Sequence, residues 1–379
     1  MSKKILIIGP AYPLRGGIAA FTERLAESYQ NTGEDVEVIS FKLQYPSILF
    51  PGKTQYAEGP GPKNIRIHSW INSINPFNWI KIGNRIKKMK PDLVIFKFWI
   101  PFMAPSLGTI GRIIKANNHT KVICVVDNII PHESRSFDKT LATYFIKSMD
   151  GFIAMSDSVR KDIINLVPGI AVRLSPHPVY DHFGESCDKL KAAKKLKMDP
   201  KFKYILSFGL VRDYKGLDLL IKAMAADNVK SFNDLNVIVA GEFYSRKQYY
   251  LDLIEKLNLK DQFIIKDEFI KDADVGYYFS IADVIVQPYY TATQSGVTQI
   301  AYHFEKPMIV TNVGGLPEIV PDGRVGFVTE VNPLSVADAI AEFYKQDTEA
   351  FLPHIIEEKK KYSWEYLLES IHKLLSNEI

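Results

Sequence analysis

Cysteine is scarce: the 379 residues hold two, Cys124 in an apolar run and Cys187 in a polar one. Two thiols supply neither a disulfide framework nor the ligand spacing of a zinc site, and they fit a reducing compartment. Long hydrophobic runs are missing as well. Nowhere do roughly 18 uncharged apolar residues follow one another, so no membrane-spanning helix is expected. The opening MSKKILIIGPAY sets two lysines before only five apolar or glycine residues, too short for a secretory leader and without a small-residue cleavage site, so the cytoplasm is the expected location. A large charge of one sign is also absent: a net +4 over this length argues by itself for neither nucleic acid nor membrane. No strand runs into Gly-x-Gly-x-x-Gly, which removes the usual dinucleotide dehydrogenase. The eight histidines, among them His68, His119 and His303, have no carboxylate at ligand spacing, so no metal constellation is expected.

What is present is a core large enough for two domains. At 46% hydrophobic content the chain is longer than the ~250–300 residues at which one core stops growing. Short apolar runs of strand length alternate with amphipathic helical patterns, the signature of parallel sheets covered by helices on both faces. The first set predicts strands at Ile5–Ile8, Val36–Ser40, Leu93–Phe98, Val122–Val126 and Phe152–Ala154, with helices near 17–30, 78–89, 106–117, 137–148 and 157–165. The second predicts strands at Tyr204–Phe208, Val237–Ala240, Phe263–Ile265, Val284–Gln287 and Met308–Thr311, with helices near 216–226, 246–258, 294–303 and 333–346. Between them Ser175–Phe202 is rich in proline, glycine and lysine and holds no apolar strand, which marks the interdomain boundary. The expected domains are 1–180, 200–355 and a terminal helix over 360–379, capped by Ser363.

Three loops carry chemistry. The strand YILSFG feeds the polar turn LVRDYKG and then a helix, and ligands of open parallel sheets bind outside the carboxyl ends of strands. Arg212 and Lys215 therefore point to a diphosphate: guanidinium takes two oxygens in a fork, and ammonium acts as a point charge. The strand ending at Pro288 leads through Thr291–Gly296 into a helix whose first amides form an anion site, where Gly296 permits close approach and Thr293 or Ser295 is a natural N-cap. The strand MIVT runs into Gly314-Gly315 at the same sheet edge. In the first half, GPAYPLRGGIAAFTERLAE opens a helix at Gly16-Gly17. The loop DNIIPHES clusters Asp127, Asn128, His132 and Glu133 at a carboxyl end. An imidazole with a pKa near ~6.5 can take a hydroxyl proton around neutrality. The stretch NPFNWIKIGNRIKKMKPD puts Trp79, Ile82, Ile86 and Met89 on one helical face and Lys81, Arg85, Lys87, Lys88 and Lys90 elsewhere.

Taken in order, YILSFGLVRDYKGLDLLIKAM, VIVAGEFY, ADVIVQPYYTATQSGVTQIAY, KPMIVTNVGGLPEIVPDGRVGFV and SWEYL resemble glycosyltransferase family four over essentially the whole chain. The resemblance implies an α/β GT-B fold, two Rossmann-like domains facing a central cleft, with the C-terminal helix bearing Trp364 crossing back to the first domain. It implies a retaining, metal-independent transferase using a UDP- or GDP-type sugar donor and no cofactor, with Arg212 and Lys215 on the donor diphosphate. Gly16 and Gly17 are similar to the family's phosphate-facing glycine pair. Gly241, Glu242, Thr293, Ser295, Gly296, Val297, Gln299 and Glu318 fall in the donor-binding motifs. An acceptor-side histidine is expected in the 127–134 loop. Asp127 lies nearest the strand end and His132 is the loop's only imidazole, so both stand as candidates. One departure is clear. The family's two glutamates, with seven residues between them, map by counting back from Pro307 to Ala292 and Ile300, leaving Thr293, Gln294, Ser295, Gln299 and Glu318 to make sugar and ribose contacts.

The expected activity is transfer of a hexose unit to a glycan or lipid-linked acceptor in surface polysaccharide assembly, with peripheral contact of the Asn75–Asp92 helix with an anionic bilayer. The missing glutamates motivate a second reading, a non-catalytic nucleotide-sugar-binding partner subunit. A sugar-nucleotide epimerase of the same fold would need carboxylates near the sugar that the sequence does not offer.

Overall fold

A computed structural model of the chain describes residues 2–46, 55–57, 60–130, 136–179, 183–292 and 295–376. It divides into two compact units, Met1–His177 together with Trp364–Ile379, and Pro178–Ser363.

The first unit is built on a seven-stranded parallel sheet, order β3-β2-β1-β4-β5-β6-β7. Its strands are β1 (Lys4–Ile8), β2 (Asp35–Leu43), β3 (Arg66–Asn72), β4 (Leu93–Phe98), β5 (Lys121–Val126), β6 (Gly151–Ala154) and β7 (Ala171–Leu174). Both faces are covered, as the continuous apolar runs require. Ile5 and Ile7 enter the core on one face of β1, Leu6 and Ile8 the core on the other. The last helix, Trp364–Leu375, places Trp364, Leu367, Leu368 and Ile371 in the same core as Ile5, Ile7, Phe21 and Leu25.

The second unit carries a six-stranded parallel sheet, order β10-β9-β8-β11-β12-β13. Its strands are β8 (Lys203–Phe208), β9 (Leu235–Ala240), β10 (Phe263–Lys266), β11 (Val284–Gln287), β12 (Met308–Thr311) and β13 (Gly326–Thr329). The strand order reverses between β8 and β11, and such a switch point opens a crevice at the carboxyl ends.

Three strands escape the sequence reading, β3, β7 and β13, and all three are sheet edges. The Ser175–Phe202 stretch also holds a helix, Lys189–Leu196, whose Ala192 and Ala193 are buried in the second unit's core, so part of the expected linker belongs to that unit. A helix over Asp272–Ile281 and another over Leu352–Lys359 lie where none is expected.

Candidate functional site

The turns after β8 and β9 are shaped by three glycines. Gly209 has φ +89°, Gly216 φ +63° and Gly241 φ +146°, all in the region that favours glycine. A Cβ on Gly216 would stand 2.0 Å from the Pro288 carbonyl oxygen, and one on Gly241 2.2 Å from that of Gly209. The turns after β8, β9 and β11 therefore pack backbone to backbone. Val211 N donates to Glu242 O at 2.9 Å, and Tyr290 N donates to Tyr214 O at 2.8 Å.

On this frame Arg212 and Lys215 share one turn, with the Lys215 amide donating to the Arg212 carbonyl at 2.9 Å. Gly209 leaves room for the ammonium: a Cβ there would lie 3.2 Å from Lys215 Nζ. Neither cation has a carboxylate within ion-pair distance among the described residues. The acid between them, Asp213, is engaged elsewhere, accepting from Ser245 Oγ at 3.1 Å and Tyr250 OH at 3.4 Å, with Arg246 at 3.7 Å. Arg212 Nε is buried without a hydrogen-bond partner, and its guanidinium carbon lies 4.5 Å from the Tyr244 ring centre. Burial first, and then the Arg212 charge, bring the Lys215 pKa down to about 8. Two cations with no carboxylate beside them among the described residues, one with an orphaned donor, form a positively charged turn with hydrogen-bonding capacity left over.

Beyond β11, Ser295 caps the helix Gly296–His303: its Oγ accepts from Val297 N at 3.2 Å and donates to Gln287 Oε1 at 2.6 Å. The serine is thus committed to the fold and buried, while Gly296 is exposed at the helix start. Val297 is core, 3.8 Å from where a Gly209 Cβ would be. Gln299 is 5% exposed, and its Oε1 has no partner, as is true of Gln287 Nε2. Ile300 is buried in the core and Ala292 packs against it, so the two positions where carboxylates were sought are apolar by packing. Glu242 and Glu318 are exposed. Thr293 and Gln294 lie outside the described residues.

In the first unit Gly16 (φ +113°) and Gly17 open the helix Gly17–Asn31, both exposed. Asp127 follows β5 directly, and His132 and Glu133 lie outside the described residues. The sequence reading missed Lys97. Its side chain is 2% exposed in β4, and its Nζ lies 2.5 Å from Asp127 Oδ1. The signal was a single charged residue inside the otherwise apolar strand LVIFKF. Among the described residues no group of three His, Cys, Asp or Glu is placed to hold a metal ion, and no helix is long and apolar enough to cross a membrane.

Two Rossmann-like units of parallel sheet and helix make this a GT-B-fold protein. The Anabaena protein Alr3699/HepE, solved in complex with UDP, superposes with a TM-score of 0.71 over 99% of this chain and 100% of its own, at 17% identity. That likeness speaks for the fold. Residues 188–362 match the family model described as glycosyl transferases group 1. The D-inositol 3-phosphate glycosyltransferase of Paenarthrobacter aurescens (strain TC1) is 28% identical over 37% of this chain and 35% of its own length. The lipopolysaccharide core biosynthesis mannosyltransferase LpsB of Rhizobium meliloti (strain 1021) is 28% identical over 53% of this chain and 57% of its own. The chain thus matches between a third and three fifths of these relatives' length.

Proposed function

We propose that this protein is a retaining glycosyltransferase that moves a hexose from a nucleoside diphosphate sugar, of UDP or GDP type, to a glycan or lipid-linked acceptor in surface polysaccharide or glycolipid synthesis. The observation that carries the reading is the Arg212–Lys215 turn at the switch point of the second sheet, two cations with no carboxylate at ion-pair distance among the described residues. The group 1 family match and the names of the relatives support it.

In this reading the diphosphate lies on Arg212, Lys215 and the amides at Gly296. As the bond from the anomeric carbon to the phosphate oxygen lengthens, negative charge grows on the leaving oxygens. Fixed cations stabilise that charge more than they stabilise the ground state. No metal is assigned a step. The acceptor hydroxyl attacks from the face the nucleotide leaves, which retains the configuration, and its proton leaves with the departing phosphate oxygen. Gln299, next to Ile300, and the exposed Glu318 take the ribose and sugar hydroxyls. The cationic helix Pro76–Met89, with Phe77 and Ile80 exposed on it and Ile74 exposed just before it, is the surface assigned to an anionic bilayer.

The apolar packing of Ala292 and Ile300 favours one alternative, a binding subunit without catalysis. A thermal-shift panel of UDP, GDP and ADP, followed by turnover of the matching sugars, separates the two. Nucleotide binding with turnover supports the enzyme. Binding without turnover on any acceptor supports the subunit, and no shift with any nucleotide removes both.

A further inference from the structure

An apolar pocket of about 550 Å³ opens in the first unit, past the carboxyl ends of β3 and β4 and against the helices Pro76–Met89 and Ser136–Ile146. That volume falls within the ~300–1,000 Å³ of small-molecule sites. Its walls offer carbon. Trp79 Nε1 donates to Asn72 O at 2.7 Å, so the indole's one polar atom is already spent. Pro101 and Pro105 bring no N–H to the lining. Phe102 is braced by Tyr45, the rings stacked at 6.0 Å, and Leu141 adds a second aliphatic side chain beside Ile74. The polar lining comes down to two residues. Asp138 is 9% exposed and engaged with its own neighbours, and Ser73 Oγ is buried with no hydrogen-bond partner among the described residues. No lysine or arginine lines the pocket among the described residues, so a phosphate inside it would find no counter-charge, whereas a hydrocarbon would find apolar contact and one spare hydroxyl.

The rim is apolar too. Ile74 and Phe137, which line the pocket, are 51% and 53% exposed, and beside Trp79 on the helix Phe77 is 84% and Ile80 49% exposed. Single exposed apolar residues need no explanation, but four near one opening do. Phe77, Ile80, Lys81 and Lys88 stand at i, i+3, i+4 and i+11, so they share one face of a helix that has no acid. That face is apolar at the pocket end and cationic from Lys81 onward, about one turn or ~6 Å along the axis. We propose that the pocket takes one hydrocarbon chain of an anionic phospholipid, with the lipid phosphate beside Lys81. A purely apolar partner would leave the lysines unanswered, while a phospholipid brings both chemistries at about that spacing. The proposal rests on the bilayer contact assigned to the helix Pro76–Met89 and adds a bound chain to it. A chain moving from bilayer to pocket stays in apolar surroundings, so the gain comes from the lining and the four rim side chains leaving water.

The test uses the full chain and phosphatidylglycerol vesicles whose acyl chains carry bromine, which quenches tryptophan fluorescence on contact. Of the four tryptophans Trp79 alone lines the pocket, so the difference between wild type and W79F isolates its signal. Wild type is expected to sediment with these vesicles and to lose the Trp79 signal, which bromine-free vesicles leave in place. Two variants address the pocket: L141D sets a carboxylate in the lining, and F137S alters an exposed rim residue with little risk to folding, each checked by a thermal melt. Both are expected to lower vesicle affinity by about tenfold, the worth of roughly 50 Å² of apolar lining left wet, and L141D to spare the Trp79 signal from bromine. Sedimentation with a Trp79 signal that bromine does not touch overturns the pocket and leaves the surface contact standing. No sedimentation overturns both. Equal quenching by brominated phosphatidylcholine overturns the assignment to an anionic lipid. A dimer that F137S dissociates, without quenching, gives the opening to a second copy of the chain and overturns the lipid.

Discussion

Lys215 closes the turn that Arg212 opens. Its amide donates to the Arg212 carbonyl at 2.9 Å, and its ammonium stands over Gly209, where a Cβ would come within 3.2 Å of Nζ. Two cations are thereby fixed on four consecutive residues, and Asp213, the one acid between them, is drawn off to Ser245, Tyr250 and Arg246.

Replacing Arg212 by alanine is expected to weaken nucleoside diphosphate binding by about 10- to 100-fold, the loss of one charge-assisted contact of ~1.5–3 kcal/mol. Stability stays at or slightly above wild type, because the like charge beside Lys215 is removed. Isothermal calorimetry with UDP and GDP, alongside a thermal melt, reads both.

The lysine carries a pH dependence of definite sign. Its folded pKa of about 8 lies below the unfolded value of 10.5. Between those two pH values the unfolded chain holds more protons, so the lysine's cost to folding is lifted as pH rises across that window. A bound diphosphate returns the counter-charge and raises the pKa. Affinity is then full below about 8 and falls as pH climbs through it. Calorimetry in buffers of different ionisation heat should find proton uptake on binding near pH 8 and none in K215M.

Gly216→Ala introduces a Cβ 2.0 Å from the Pro288 carbonyl at a φ of +63°. The clash and the backbone conformation together should cost roughly 1–3 kcal/mol and displace the Lys215 turn. A fall in denaturant midpoint together with weaker nucleotide binding is the expected pair. Unchanged binding would mean the turn does not hold the phosphates.

The helix Pro76–Met89 has no acidic residue, and among the described residues Lys81, Lys87 and Lys88 form no ion pair, while Arg85 lies over Trp70 with its guanidinium carbon 3.6 Å from the ring centre. Sedimentation with phosphatidylglycerol vesicles should show salt-sensitive binding that neutral phosphatidylcholine vesicles do not support. The double variant K81E/K88E should abolish it, and the single variant F77S, at a residue 84% exposed, should weaken it without loss of fold.

Both sheets were legible because their inner strands bury both faces, so β1, β4, β5, β8, β9, β11 and β12 read as predominantly apolar runs. The strands β3 (RIHSWIN), β7 (AVRL) and β13 (GFVT) were not legible. Each has one neighbour and lies partly open to solvent, so its sequence carries no continuous run. The helix Asp272–Ile281 was hidden for a related reason: Val275, Gly276, Tyr278, Phe279, Ser280 and Ile281 are all buried, so no polar face alternates with an apolar one.

The sequence by itself determined the alternation of strand and helix, and it put Arg212 and Lys215 on a turn between the two, because spacing along one strand–turn–helix segment is local. It could not determine which side chains stay free to meet a ligand. Ser295 became a helix cap bound to Gln287, and Ala292 and Ile300 went into the core. Lys97, an oddity in an apolar strand, became Asp127's partner across 30 residues of chain. Those outcomes depend on which strands lie side by side and on what each buried polar atom finds within reach, so only the tertiary structure decided them.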